Sequence, residues 1–357
     1  MLEKLKQVRD TGPKRILVPG SVPNIILYGA GQPNIVKFRD GSSAVSCCLG
    51  CKDRPCYCYS MKELSQSPMD GFPIDKLRQV CPSDAIVPDG PEGLPIMRPN
   101  SCIMCGICVT RCPTGAIFID PEKGAEVQTK TNEKFIEVSQ IQDERIERTR
   151  VAFVALKREG IMLQESDHVV DIIARRSEQA LAGSNRYPNI LARNLLRTLG
   201  ANAATRRIGI TSMRMDIIQK TADGHLGLVE VEFGSGAILD VPRDILDDVA
   251  VMVARHGWSR GKFHTIIVTD AIPNRRSEYW RIIADFKKVF PWLRVLTISA
   301  LALMLAVWRQ RILTSDIFDL FYADEETKSY LEENIVEALG FQPNLTAGCN
   351  SWVEWVK

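Results

Sequence analysis

The segment Ser101-Cys102-Ile103-Met104-Cys105-Gly106-Ile107-Cys108-Val109-Thr110-Arg111-Cys112-Pro113 has the spacing C-x2-C-x2-C-x3-C-P. Three thiolates at three-residue intervals wrap tightly enough to meet the corners of one iron–sulfur cubane. The fourth, directed by the proline after it, points elsewhere and serves a second cluster. A partner set of cysteines must therefore stand elsewhere in the chain. It is found upstream, in Cys47-Cys48-Leu49-Gly50-Cys51-Lys52-Asp53-Arg54-Pro55-Cys56-Tyr57-Cys58, followed after 22 residues by Cys81-Pro82. Four thiolates also suit zinc, but tetrahedral zinc motifs normally pair two C-x2-C units rather than three evenly spaced cysteines and a C-P.

A second constellation is acidic. Asp216 lies in the apolar stretch Arg214-Met215-Asp216-Ile217-Ile218, and Glu230-Val231-Glu232 lies in another. Residues two apart on a strand share a face, so Glu230 and Glu232 project together. The Asp223-Gly224 pair between the two stretches is a hairpin signal that brings Asp216 toward them. Carboxylates converging at neutral pH need a cation, and oxygen ligands of this kind suit Mg²⁺ or Mn²⁺. The ordinary alternative is a half-buried strand whose acids face water.

These groups are positioned by a legible order of elements. Cys81-Pro82-Ser83-Asp84-Ala85-Ile86 is echoed by Cys112-Pro113-Thr114-Gly115-Ala116-Ile117, an internal repeat in which each half ends a short helix and enters a strand. Residues 1–44 are a lead-in broken by Pro and Gly, residues 121–135 a polar boundary, and residues 136–185 a helical bridge. A helix from Asn189 to about Leu199 precedes strands over Arg207–Lys220 and Leu226–Phe233. There follow a helix from Val241 to His256, a strand Phe263–Thr269, a helix around Ser277–Phe290, a strand Leu293–Ile298 and a helix Ala300–Arg309. Residues 311–357 read as a helical tail. The alternation implies a mixed α/β sheet.

Residues 45–125 resemble a bacterial-type ferredoxin domain with two [4Fe–4S] clusters and an α+β fold. The resemblance implies crossed ligation, with Cys102, Cys105, Cys108 and Cys81 on one cluster and Cys48, Cys51, Cys56 and Cys112 on the other. Cys47 and Cys58 are left spare. Residues 186–310 resemble the PD-(D/E)xK nuclease superfamily, a restriction-endonuclease-like α/β fold, with Asp216 and Glu230 as its two acids. The usual lysine position holds Glu232, and Lys220 on the same hairpin is a weak substitute. The resemblance implies phosphodiester hydrolysis, with Asp216, Glu230 and Glu232 as catalytic residues holding Mg²⁺ or Mn²⁺ that activates water.

The full chain has 45 Lys and Arg against 43 Asp and Glu, a net charge of +2 too small to identify a nucleic-acid partner. Any basic surface is local, and Arg186, Arg193, Arg197, Arg206, Arg207 and Arg214 are the candidates. Ten of 11 cysteines lie between Cys47 and Cys112, a dense block that favours cofactor thiolates in a reducing cytoplasm. The opening residues lack the apolar core of a signal peptide, and the apolar run Val295–Trp308, at 14 residues, is too short to span a bilayer. Two functions follow as expectations. One is an iron–sulfur-containing nuclease acting on nucleic acid, DNA foremost, with structural or redox-sensing clusters. The other is a ferredoxin-type electron-transfer protein with a redox partner, whose C-terminal domain is an inactive docking module.

Overall fold

The computed structural model describes residues 35–37, 43–46, 48, 50–51, 53–90, 93–112, 116–120, 124–127, 135–136, 175–177, 179–180 and 186–308, the last range with gaps at 211, 235–237, 271 and 274–276. Most of the expected lead-in, most of the helical bridge and the C-terminal tail lie outside these residues. The chain divides into two compact units, the first formed by residues 1–59 and 83–163 and the second by residues 60–82 and 164–357.

In the first unit, strands β1 (Ile35–Lys37) and β2 (Ser43–Ser46) pair antiparallel. The chain then enters the second unit, where Met61–Ser65 forms the single-turn helix α1. Its N-cap is a capping box: the Ser60 hydroxyl accepts from the Glu63 amide at 3.2 Å, and the Ser60 amide donates to Glu63 Oε2 at 2.7 Å. Back in the first unit, β3 (Ile86–Pro88) pairs with β4 (Pro95–Met97), and helix α2 (Ile107–Arg111) leads through Cys112 to the hairpin of β5 (Ile117–Asp120) and β6 (Gly124–Val127). The short β7 (Phe135–Ile136) adds to β2 in parallel. Both C-P-x-x-A-I repeats therefore run into a hairpin. Only the second is preceded by a helix; Leu77–Val80, before Cys81, is not helical.

The second unit continues with α3 (Tyr187–Thr198), the meander β8 (Asn202–Thr205), β9 (Ile217–Lys220) and β10 (Leu226–Glu232), helix α4 (Val241–His256), strand β11 (Phe263–Thr269), helix α5 (Glu278–Val289), strand β12 (Val295–Ser299) and helix α6 (Ala300–Trp308). The sheet order is β12-β11-β10-β9-β8. The meander is antiparallel, and β10, β11 and β12 are parallel. This is an α/β unit with a mixed sheet. The parallel strands follow the rule for sheets covered on both faces, with near-continuous apolar runs: Ile266, Ile267 and Val268 of β11 and Val295, Leu296 and Ile298 of β12 are all buried. The helix ends obey local chemistry. Ser277 Oγ accepts from the Tyr279 amide, and Gly257, in the left-handed region at φ 67°, lets Trp258 N–H reach back to Met252 C=O at 3.1 Å.

Two expectations are corrected by these elements. The strand carrying Asp216 is shorter than the sequence suggests, beginning at Ile217, so Asp216 sits at the strand mouth and residues 207–210 and 212–215 lie outside any strand. Residues 60–82, read as an insertion within the ferredoxin-like segment, belong to the second unit, bound there by α3 and β8. Arg193, 1% exposed, donates to Leu77 C=O at 2.8 Å and Gln79 C=O at 2.9 Å. Asn194 donates to Gln79 and Val80 carbonyls at 3.1 and 2.7 Å, and Arg197 to Glu63 C=O at 2.9 Å. Asp75 N–H reaches Thr205 C=O, Arg207 N–H reaches Pro73 C=O, and Arg186 forms an ion pair with Asp75. Arg206 Nη1 donates to Met213 C=O at 3.2 Å. The guanidinium groups of Arg186, Arg193, Arg197 and Arg206, expected to face phosphates, are thus occupied within the unit by backbone or carboxylate.

Candidate functional site

The cysteines of the first unit are set by two loops. Cys48, Cys51 and Cys56 lie on a turn-rich segment in which Gly50 has φ 61°, Arg54 has φ 46° and the Arg54 amide donates to Cys51 C=O at 2.9 Å. Cys102 to Cys112 wind through Met104 at φ 59° and Gly106 at φ 77° into α2, whose C-cap is Cys112. A non-glycine residue in the left-handed region is strained, and strain of this kind concentrates where the backbone serves a ligand. Here it turns amides toward sulfur. Met104 N–H and Ala125 N–H donate to Cys102 Sγ at 3.4 and 3.2 Å, and Ala116 N–H donates to Cys112 Sγ at 3.2 Å. Such N–H···S bonds stabilise thiolates and are a lever on iron–sulfur potentials.

Cys56 is buried, and its thiol is pushed far above its ordinary range, first by that burial and then by the negative charges of Cys112, Cys51 and Cys48. Cys48 is raised as well, by burial foremost, opposed by the Gly50 amide and reinforced by Cys112. Cys56 thus senses the charges of Cys48, Cys51 and Cys112, and Cys48 that of Cys112, while among the described residues the cysteine side chains as they stand are not closed around a metal position. Thiolates that sense one another are stable when a positively charged group lies among them, which fits an iron–sulfur cluster. Cys102 and Cys105 are buried and Cys108 half-buried in the same unit, while Cys81 falls in the second unit. Cys58 is directed at Tyr59 C=O, and Cys47 lies outside the described residues.

The acidic residues come together at one end of β9 and β10. Asp216 N–H donates to Glu230 Oε1 at 3.3 Å, Asp216 Oδ2 accepts from Val231 N–H at 3.1 Å, and Asp216 Oδ1 accepts from Asn189 Nδ2 of α3 at 3.0 Å. Sequence reasoning missed a fourth acid, Asp248 of α4. It is 1% exposed, and neither of its carboxylate oxygens meets an amide, guanidinium or alcohol donor. Its neighbour is the Glu230 carboxyl. Burial raises Glu230 well above the usual carboxylate range, with Asp248 and Asp216 adding to the effect. Asp248 is pushed up to about 6 by burial, although its hydrogen bond to Glu230 opposes the rise. Asp216 is raised by burial, and Glu232 by burial and then by the charge of Asp216.

A signal for Asp248 was present in the sequence. It occupies the apolar stripe Val241, Ile245, Val249, Met252, where a carboxylate is out of place. Among the described residues no group of three or more His, Cys, Asp or Glu side chains is arranged to hold a metal ion. Asp216 and Glu230 are joined by a hydrogen bond, and Asp248 is buried beside them.

The Asp248 environment sets the sign of a pH effect. A carboxyl whose folded pKa lies above its unfolded value stabilises the fold fully below the unfolded value, near 4, and that stabilisation is lost as pH rises through about 6. Asp216 and Asp244 reinforce the penalty, and Glu230 and Arg206 relieve it. Asp248→Asn is expected to raise stability at pH 8 by about 1–2 kcal/mol and by roughly half as much at pH 5, midway through the window. Denaturant unfolding of both proteins at both pH values measures it, with the difference between them as the readout, because acid attack on iron–sulfur centres is common to both. An Asp248→Asn protein destabilised equally at both pH values would show the carboxylate to be satisfied by a partner rather than by a proton.

Comparison with known proteins identifies one stretch of the first unit. The 4Fe-4S binding domain family matches residues 95–118. The chain is 41% identical over 58 residues to an uncharacterized ferredoxin of Methanocaldococcus jannaschii, covering 14% of this chain and 37% of that protein. It is 38% identical over 42 residues to a second uncharacterized ferredoxin of that organism, covering 12% of this chain and 66% of the other. It is 47% identical over 45 residues to one subunit of the Na(+)-translocating ferredoxin:NAD(+) oxidoreductase complex of Acetobacterium woodii, covering 13% of each. The chain thus spans less than two thirds of the length of each of these relatives. No solved structure matches it. No helix among the described residues is long and apolar enough to cross a membrane. Residues 95–118 are a ferredoxin-type 4Fe-4S binding domain.

Proposed function

We propose that this protein holds two [4Fe–4S] clusters and passes electrons to and from a redox partner protein. The observation that carries the reading is the approach of Cys112, the last cysteine of the run within the matched 4Fe-4S segment, to Cys48 and Cys56 far upstream. Cys102, Cys105 and Cys108 serve the other cluster, with the fourth thiolate that the ferredoxin pattern assigns to Cys81. When bound, such clusters accept and release one electron each. The protein's part is to supply thiolates, to direct amides at Cys102 and Cys112, and to bury the sulfurs of Cys56, Cys102 and Cys105. The relatives' names, two ferredoxins and a subunit of a ferredoxin-using complex, support this class of chemistry. Anaerobically reconstituted protein is expected to be reduced by a flavin reductase and to be reoxidised by an added electron acceptor. Clusters that form but cannot be reduced reversibly would end the reading.

A second reading rests on a separate observation, the meeting of Asp216 and Glu230 at adjacent strand ends within the order α3-β8-β9-β10-α4-β11. That order of elements, with the antiparallel meander and a parallel fourth strand, supports a restriction-endonuclease-like reading. In this reading Asp216, Glu230 and Glu232 bind Mg²⁺ or Mn²⁺ and the substrate is DNA. Incubating the protein with either ion and with DNA or RNA tests it. Cleavage that disappears in Glu230→Ala, at unchanged iron content, supports the nuclease; intact nucleic acid with the native protein leaves electron transfer standing alone.

A further inference from the structure

Arg111 is the last residue of α2 and the immediate neighbour of Cys112. Its Nε donates to Pro55 C=O at 2.7 Å, and Pro55 precedes Cys56. Its guanidinium lies 4.1 Å from the centroid of the Tyr59 ring, a residue with no exposed surface. One side chain thus spans from the helix that ends in Cys112 to the loop that holds Cys56, segments far apart in sequence. A hydrogen bond and a ring fix it at two points, so its charge cannot swing into solvent as a surface arginine does.

We propose that Arg111 is a positioning residue for the cluster held by Cys48, Cys51, Cys56 and Cys112, joining the two cysteine segments and placing a fixed positive charge that raises that cluster's reduction potential. This rests on the reading of those four cysteines as a ligand set. The charge argument is direct: on reduction one electron enters from the donor, the iron–sulfur core becomes one unit more negative, and no bond to the protein is made or broken. A fixed cation nearby favours the more negative state, and net charge around the site is a recognised lever on iron–sulfur potentials. Lysine cannot replace it. A lysine would supply charge without the planar donor that reaches Pro55 C=O or the flat face that lies on Tyr59. The other guanidinium nearby, Arg54, lies 5.8 Å from the Tyr57 ring and provides a control with a looser hold.

The test is a redox titration of the full chain, reconstituted under anaerobic conditions, with dithionite as electron donor and electron paramagnetic resonance as readout. Iron is assayed in each sample. In Arg111→Gln one of the two reduction waves is expected to move to more negative potential and the other to stay. The reduced-to-oxidised ratio of the affected cluster at fixed potential should fall about tenfold, which for one electron is 59 mV. Arg54→Gln should move the same wave less. Full iron with both waves unmoved in Arg111→Gln overturns the proposal. If Arg111→Gln does not retain iron, Tyr59→Leu decides, since it keeps the charge and removes the ring that fixes it: a wave displaced downward supports the proposal and an unmoved one overturns it. Native protein that shows a single wave surviving Cys56→Ser overturns both this proposal and the ligand set beneath it, and is told apart by the Cys56→Ser arm.

Discussion

Cys112→Ser is expected to lower bound iron from about eight to about four atoms per chain and to leave one cluster spectroscopically intact. The effect is large because Cys112 cannot be replaced locally. It caps α2, receives the Ala116 amide on its sulfur, and bears on Cys56 and Cys48 across a long stretch of sequence. Serine keeps the shape but offers a hard, protonated oxygen in place of a soft thiolate. The remaining three, Cys48, Cys51 and Cys56, are then a three-thiolate site, so a three-iron cluster that persists at reduced iron content is also consistent with the assignment. Iron assay with resonance spectra at each loading measures it. Unchanged iron content in Cys112→Ser would place Cys112 outside the ligand set. Cys58→Ser is the matched control, because its thiol is directed at Tyr59 C=O, and it should keep all its iron.

The second large effect concerns stability. Arg193→Ala should cost about 3 kcal/mol of unfolding free energy, since it strips donors from the part-buried Leu77 C=O and Gln79 C=O and from the buried Asn194 Oδ1. Removing a buried donor imposes the desolvation penalty of every acceptor it served, which is why the sum exceeds that of one ordinary hydrogen bond. Arg193→Lys recovers only part, having a single point of donation where the guanidinium has a fork. Denaturant unfolding followed by far-ultraviolet circular dichroism gives the number. A loss under about 1 kcal/mol would mean that residues 77–80 hold their place without Arg193.

Much of this is legible in the residues, and for identifiable reasons. Cysteine spacing encodes cluster ligation almost directly, so the segment from Cys102 to Cys112 announces itself, and the matched 4Fe-4S domain lies over it. The helices and strands of the second unit are legible because Val241–His256 and Phe263–Thr269 have unmixed periodicities and end at Gly257 and near Ser277 with strong stop and start chemistry. Three things escape. The strand before Asp216 is overread because Arg207–Met215 mixes apolar and basic residues in a strand-like alternation while its backbone hydrogen bonds go elsewhere, Arg207 N–H to Pro73 C=O among them. The arginines of α3 read as a basic face because the sequence does not record that residues 60–82 return to cover them. Asp248 is missed because a single acid within an apolar stripe looks like noise until Glu230 is found opposite it.

The return of residues 60–82 to the second unit also bears on heredity and on protein engineering. The chain passes from one unit to the other after Tyr59, again after Pro82 and once more after Leu163, so no single junction separates the cysteine-rich part from the sheet. A recombination event that exchanged the whole stretch from Cys48 to Cys112 for that of another ferredoxin would carry away the backbone that Arg193, Asn194 and Arg197 are built to grip. Those side chains and that loop can change only in concert. A graft that keeps Ser60–Pro82 with its own α3, and replaces only the flanking cysteine segments, is the exchange this architecture permits.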